Sequence, residues 1–341
     1  MAAEVLHVDL DQFVAAVEIR RAPHLRGRAV AVGGSGDPAM HREVVSTASY
    51  EARAFGVRSG LPLRVAVRRC PDLVVIPVDT DAYAAASTEV MAVLREFGDV
   101  EVLGWDEAFL APSGAAEETA HAVRAAVLDR TGLSCSVGIG DTRQRAKLAT
   151  GFAKPAGVFR LDADNWAELM AHRPTTALWG IGPRQAARLA DAGLRTVADL
   201  GAADEQMMIA RFGPTIGPRL RDIGMGGAPG DIGVVTEPRE PVSRGHQHTY
   251  PVDLVELLDI RAALVELAEA VTAEIVAEGR SAARVFVTVR TSSFFTRTLA
   301  TKLAGPTTDA AVVTEAALRV LERFELRRPV RLLGVRLEFP R

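Results

Sequence analysis

A chain of 341 residues, 48% of them hydrophobic, is too long to fold around one core and calls for about two to four domains. Its formal net charge of −3 excludes binding to nucleic acid through overall basicity, so any basic surface has to be local. Two cysteines, Cys70 and Cys135, supply neither a disulfide framework nor metal-ligand spacing. With no signal peptide or long apolar span, the chain reads as a soluble, cytoplasmic protein with no membrane partner.

The first stretch, Leu6-His7-Val8-Asp9-Leu10-Asp11, alternates apolar and polar residues as a half-buried strand does. Residues 12–20 suit a short helix, 29–32 a strand, 44–48 a further β segment, and 49–55 a helix stopped by Gly56. Thr47, Tyr50 and Arg53 recur at three-residue intervals, so they can share one face. A hydroxyl, a phenol and a guanidinium together suit a triphosphate, because Arg binds phosphate oxygens in pairs. A solvated helix face is the plain alternative.

Asp81 reads as the N-cap of a helix over 82–97 closed by Gly98. Residues 100–110 read as one buried strand carrying Asp106 and Glu107 inside an apolar run. Buried acids need a partner, a base or a metal. If this strand neighbours the first, Asp9 and Asp106 meet, and clustered carboxylates suggest hard divalent cations; a helix cap and a strand end are the alternative roles. Ser113 caps a second helix whose inner face carries Ala116, Ala120, Val123 and Val127. A strand over 135–139 and a helix over 143–152 follow, leading into Ala153-Lys154-Pro155-Ala156-Gly157, where Lys154 can reach a neighbouring pocket or lie on the surface. The order β…αββαβ is that of a ferredoxin-like split βαβ sheet with an insertion after its first strand.

From Trp166 the chain turns to short helices. Gly180-Ile181-Gly182-Pro183 opens the helix over 184–192, a helix-hairpin-helix arrangement that grips a DNA phosphate without reading sequence. The Gly- and Pro-rich stretch 224–241 reads as a linker. The remainder reads β-α-β-β-α-β, with a capping box of Asp253 and Glu256 opening a helix to Glu278 and a second helix over 308–324. Residues 280–302 carry Arg280, Arg284, Arg290, Arg297 and Lys302 without an acid. Val285, Val287 and Val289 point one way, and Arg284, Phe286, Thr288 and Arg290 the other, giving a basic, hydroxyl-bearing face suited to a phosphate backbone.

The stretches His7-Val8-Asp9-Leu10-Asp11-Gln12-Phe13, Ser46-Thr47-Ala48-Ser49-Tyr50-Glu51-Ala52-Arg53, Trp105-Asp106-Glu107-Ala108-Phe109-Leu110, Ser136-Val137-Gly138-Ile139-Gly140 and Ala153-Lys154-Pro155-Ala156-Gly157 resemble the ordered signature of Y-family, DinB-type (DNA polymerase IV-like) translesion polymerases. The resemblance runs from the first strand to the last. It implies an α+β multidomain fold: a ferredoxin-like palm (1–10 and 77–166), small fingers (11–76), a helix-hairpin-helix thumb (167–232), a linker (233–242) and a βαββαβ little finger (243–341). It also implies a DNA-directed DNA polymerase. Asp9 and Asp106 would hold two Mg²⁺ ions, with Mn²⁺ as a substitute, Glu107 completing the site and the Leu10 carbonyl as a further ligand. Thr47, Tyr50, Arg53 and Lys154 would hold the triphosphate, with Phe13 under the incoming sugar. Gly180 and Gly182, together with Arg244, Arg284, Arg290, Arg297 and Arg336, would hold primer-template DNA.

Several positions depart from the family pattern. Gly104-Trp105 replaces a Ser-Ile type of context before Asp106, and Thr142-Arg143 replaces an Asn-Lys pair. No sliding-clamp peptide follows Phe339, so recruitment through such a tail is expected to be absent; a monomer is expected. Val14 stands where the family carries Tyr or Phe, which opens the sugar pocket to ribonucleotides. Two rival readings remain: a catalytically inactive relative acting as a DNA-binding scaffold, which would lose the acids, and a nucleotide cyclase on a similar palm, which would lack the hairpin and the basic sheet.

Overall fold

The computed structural model describes residues 4–228, 230–237 and 240–340. Residues 1–3 and 341, at the ends of the expected palm and little finger, and Pro229, Pro238 and Arg239, in the expected thumb and linker, lie outside the described residues. The chain divides into two compact units between Pro238 and Arg239.

In the first unit, β1 (Val5–Leu10) runs through a left-handed Gln12 into α1 (Phe13–Arg21). A small sheet follows, made of β2 (Val30–Val32), β3 (Thr47–Ala48) and β4 (Val74–Ile76) in the order β3-β2-β4, with α2 (Tyr50–Ala54) and α3 (Leu63–Arg69) between its strands. Its core is Ala31, Val45, Ala52, Leu63 and Ala66. Next come α4 (Thr80–Leu94), β5 (Gly98–Val102), β6 (Glu107–Pro112), α5 (Ala116–Thr131), β7 (Cys135–Gly140), α6 (Arg143–Ala153) and β8 (Val158–Leu161). The larger sheet has the order β5-β6-β1-β7-β8, placing the first strand at its centre and the smaller sheet as an insertion after it, as expected. Leu6, Val8 and Leu10 are buried in one core with Val90, Leu94, Val123 and Val127 of α4 and α5. Burying a side chain of this kind contributes about 1.5–3 kcal/mol. By alternation, His7 and Asp9 stand on the other face.

Three local expectations fail here. Residues 100–110 are not one strand: β5 and β6 form a hairpin whose turn carries Asp106. Asp79, not Asp81, caps α4, its side chain accepting from the Ala82 N–H at 3.2 Å. Ser113 caps nothing; its hydroxyl donates to the Phe97 carbonyl at 2.7 Å, and α5 begins after Ala115 with no side-chain cap.

The unit ends in α7 (Ala163–Met170), α8 (Pro183–Ala190), α9 (Val197–Gly201), α10 (Glu205–Phe212) and α11 (Ile216–Gly224), packed around Trp166, Met170, Leu189, Leu200 and Met208. The stretch after Gly224 is not a free tether. Arg143 N donates to Asp231 O at 2.7 Å, Val235 N donates to Glu101 at 2.9 Å, and the Arg143 guanidinium pairs with Glu101.

The second unit contains β9 (Ser243–Leu254), α12 (Leu257–Ala277), β10 (Ala282–Thr291), β11 (Thr296–Thr307), α13 (Ala310–Leu321) and β12 (Val330–Glu338). Its strands form an antiparallel sheet in the order β11-β10-β12-β9, one face packed by α12 and α13 around Val285, Val287, Leu333 and Val335. The capping box does not form: Asp253 belongs to β9, and Glu256 precedes α12 without a side-chain cap bond. Among the described residues, no helix is long and apolar enough to cross a membrane.

Candidate active site

The antiparallel register of β1 and β6 sets Asp9 directly opposite Glu107, so both lie on the sheet face away from α4 and α5. Leu10 N donates to Asp106 O at 2.8 Å, which pins the hairpin turn to the end of β1 and brings Asp106 beside this pair. Asp106 itself is open to solvent.

The same face receives α6. A Cβ on Gly138 would stand 2.1 Å from the Ala146 carbonyl oxygen, and one on Gly140 would stand 2.3 Å from Ala146 N, so only glycine lets this helix come so close. The helix brings Lys147 to the carboxylates, and Lys154 stands at its C-cap. Lys154 pairs with Asp9 and Lys147 with Glu107; Lys154 is therefore no simple surface lysine. Behind Glu107 the buried His7 has Nδ1 2.8 Å from the Thr150 hydroxyl, and Nε2 3.1 Å from Lys147 Nζ and 3.4 Å from Glu107. Sequence reasoning passed over His7 and Lys147. The spacing Lys147, Thr150, Lys154 on one helical stripe is the signal that could have found the lysine.

These contacts separate the acids electrostatically. The hydrogen bond from His7 and those from the Lys147 ammonium hold the Glu107 carboxyl down at about 2. Burial raises Asp9 in spite of Lys154. Asp106, exposed at its turn, is also raised, by partial desolvation of its carboxyl among the neighbouring groups and then by the negative charge of Glu107. Burial also lowers His7. Hard oxygen donors on adjoining strands, two of them already facing a lysine cation, have the donor chemistry of a divalent-ion site. Among the described residues no three His, Cys, Asp or Glu side chains form a ready metal cage, and lysines pair with the oxygens of Asp9 and Glu107.

The expected nucleotide residues are only partly assembled. Thr47 lies in β3, outside the helix that carries Tyr50 and Arg53. Arg53 donates through Nε to Ala48 O at 2.9 Å, and its guanidinium lies 5.0 Å from the centre of the Tyr50 ring. The Tyr50 hydroxyl donates to Asp11 at 3.0 Å; burial, then the Asp11 charge, keep it protonated. Phe13 is 3% exposed and packs into the core beneath the sheet, so it offers no open face to a sugar. Val14 is half-buried on α1.

The hairpin glycines lead into α8: Gly180 has φ 92° and Gly182 precedes Pro183 at the helix start without a side-chain cap. The segment before them is a single 3-10 turn, Thr175–Ala177, rather than a full helix.

In the second unit, directly opposed residues share a face, and this sorts the arginines. Arg284, Arg290 and Arg336 stand on the face that the helices leave open. Arg336 stacks 3.6 Å from the centre of the Phe286 ring, and Arg290 Nε donates to Thr296 at 2.8 Å. Arg244 and Arg297 do not join them. Arg244 lies opposite the buried Leu337 and pairs with Glu278 of the helix side at 2.7 Å. Arg297 lies opposite the buried Val289.

The impB/mucB/samB family model matches residues 8–151, and the model of that family's C-terminal domain matches residues 241–339. A protein named DNA polymerase IV 2 from Mycobacterium tuberculosis is 50% identical over 339 residues, spanning 98% of this chain and 97% of that one. DNA polymerase IV of Methanoculleus marisnigri is 39% identical over 339 residues, spanning 98% and 93%. In fold, the solved structure of a Y-family DNA polymerase chimera of Dbh and Dpo4 agrees with a TM-score of 0.83 over 98% of each chain, at 24% identity. With its acids in register across β1 and β6, the chain belongs to the impB/mucB/samB family and is a Y-family DNA polymerase of the DinB, polymerase IV type.

Proposed function

We propose that this lesion-bypass polymerase extends a primer 3′-hydroxyl by two-metal-ion nucleotidyl transfer at Asp9, Asp106 and Glu107, with weak discrimination against ribose at Val14. The observation that carries it is the meeting of these carboxylates with Lys154 at the end of β1. Asp9 and Asp106, with Glu107 and the Leu10 carbonyl, would hold two Mg²⁺ ions, or Mn²⁺ in their place. Such ions, when bound, lower the charge barrier between a primer hydroxyl and the α-phosphate. Glu107, ionised through the physiological range, keeps a fixed negative charge in the site. Lys154 exchanges Asp9 for the triphosphate, joining Arg53, Tyr50 and Thr47. Asp9, which this lysine pairs with, would have its charge balanced by a divalent ion held there once Lys154 turns to the triphosphate.

Residues 1–10 and 77–166 serve as palm, 11–76 as fingers, 167–232 as thumb and 243–341 as little finger, joined by 233–242. The hairpin at Gly180 and Gly182 and the open face bearing Arg284, Arg290 and Arg336 hold primer-template DNA through its phosphates, which an overall charge of −3 would not do. Deoxynucleoside triphosphates, and through Val14 ribonucleoside triphosphates, are the substrates. Extension of a labelled hairpin primer in Mg²⁺ tests the reading. Template-directed addition supports it. No addition would favour a scaffold, and cyclic nucleotide formation without DNA would favour a cyclase.

A further inference from the structure

Asp11 has no part in the chemistry described so far, yet its carboxylate is 4% exposed and accepts four hydrogen bonds. Its Oδ2 accepts from the Ser134 hydroxyl at 2.8 Å and from the Ala156 backbone N–H at 2.9 Å. Its Oδ1 accepts from the Ser136 hydroxyl at 2.9 Å and from the Tyr50 hydroxyl at 3.0 Å. A carboxylate is an acceptor-only group, and four donors nearly exhaust its lone-pair sites. None is left for an ion.

The donors come from three places. The serines flank the start of β7, Ala156 belongs to the turn just behind Lys154, and Tyr50 opens α2. The next residue, Gln12, holds a left-handed backbone at φ 45°, uncommon for a residue with a side chain, and its Oε1 accepts from Tyr50 N at 2.6 Å. Tyr50 is therefore fixed at both its main chain and its phenol by the two consecutive residues that follow β1.

We propose that Asp11 is a positioning residue for the incoming nucleotide: its carboxylate joins the Tyr50 hydroxyl to the backbone turn behind Lys154 and so sets the gap across which the triphosphate is gripped. The inference rests on the reading of Tyr50 and Lys154 as triphosphate residues. Asp11 touches neither substrate nor ion. Exchanging it for Asn removes the charge and leaves a single acceptor oxygen for four partners, so the bonds to at least one wall of the gap weaken while the shape is kept.

The test is steady-state insertion of a matched dNTP, in saturating Mg²⁺ and primer-template DNA, by wild type, Asp11→Asn, Tyr50→Phe, Lys154→Ala and the Asp11→Asn/Tyr50→Phe double variant. Asp11→Asn should raise the KM for dNTP roughly ten- to a hundredfold, as expected when bonds to a charged acceptor are removed. Its kcat should stay within about threefold, a split that marks weakened ground-state binding rather than impaired chemistry. In a separate Mg²⁺ titration at saturating dNTP the Mg²⁺ midpoint should not move, and the double variant should fall short of the product of the single effects. An unchanged KM in Asp11→Asn, with KM raised in Tyr50→Phe or Lys154→Ala, would overturn this inference alone. Unchanged KM in both of the latter would overturn the triphosphate reading beneath it. A shifted Mg²⁺ midpoint in Asp11→Asn would make Asp11 a metal ligand and also overturn the proposal. Should Asp11→Asn melt before assay temperature, Ser136→Ala removes one donor and keeps the carboxylate; it should raise KM in the same direction by a smaller factor, and an unchanged KM there would overturn the proposal.

Discussion

Substituting Val14 by Tyr should close the polymerase to ribonucleotides. Val14 lies in the first turn of α1, half-buried, with its neighbour Phe13 turned into the core at 3% exposure. Phe13 is therefore not available to fill the space that an aromatic residue at position 14 would take. Tyr50 is tethered by two bonds, its hydroxyl to Asp11 and its amide to Gln12, so it is not free to swing over the sugar either. An apolar slot without a blocking ring rejects one added hydroxyl by only about a hundredfold. A ring at van der Waals distance from C2′ leaves no room for an oxygen, and a thousandfold or greater preference corresponds to about 4 kcal/mol. Single-nucleotide insertion with matched dNTP and rNTP measures both ratios. Wild type should prefer deoxyribose by no more than about a hundredfold, and Val14→Tyr should restore a thousandfold or more at nearly unchanged dNTP efficiency. A wild type already at a thousandfold, with nothing added by Val14→Tyr, would refute the open pocket.

Replacing Arg284, Arg290 and Arg336 by Ala should make the slope of log affinity against log salt shallower by up to about one unit for each phosphate no longer neutralised. Arg244→Ala and Arg297→Ala, on the helix side of that sheet, should leave the slope unchanged; an equal change there would refute the face assignment. Gly138→Ala should destabilise the first unit by about 3 kcal/mol or more, seen as a lower midpoint in urea, since its Cβ meets backbone rather than a movable side chain. A midpoint like wild type would show that α6 can retreat at little cost. Cys70 and Cys135 are buried, with burial pushing the Cys135 thiol up to about 12, so neither should react with an aromatic disulfide reagent at neutral pH until the chain is unfolded. Rapid reaction of either in the native protein would contradict the packing around it.

Alternation and turn residues made the two larger sheets, and the pairing of Asp9 with the Asp106-Glu107 strand, legible in the sequence. They failed where the deciding interaction is distant along the chain. His7 and Lys147 are 140 residues apart and meet only because Gly138 lets α6 down onto β1. The hairpin turn at 103–106 escaped notice because Leu103 and Trp105 extend the apolar run straight through it. Caps were misplaced by a residue or two where neighbouring acids compete, as Asp79 does with Asp81. The side taken by Arg244 could not be read, because β9 is a polar edge strand on both faces and its register with β12 shifts partway. Arg297 lies at the start of β11, at the other edge, just past a turn across which the alternation of β10 does not carry. Composition located the run of arginines, and only the pairing shows which of them share the face that the helices leave open.

The carboxylates at the end of β1 carry the proposed chemistry, and insertion by Asp9→Ala, Asp106→Ala and Glu107→Ala across an Mg²⁺ titration, with thermal melting alongside, tests it most directly. Asp106→Ala removes a proposed ion ligand and relieves its repulsion with Glu107, so the melting temperature should hold or rise while insertion collapses at every Mg²⁺ concentration. Asp9→Ala and Glu107→Ala should lose insertion as well. Insertion by Asp106→Ala within a few-fold of wild type, in a protein that melts normally, would contradict the two-metal reading.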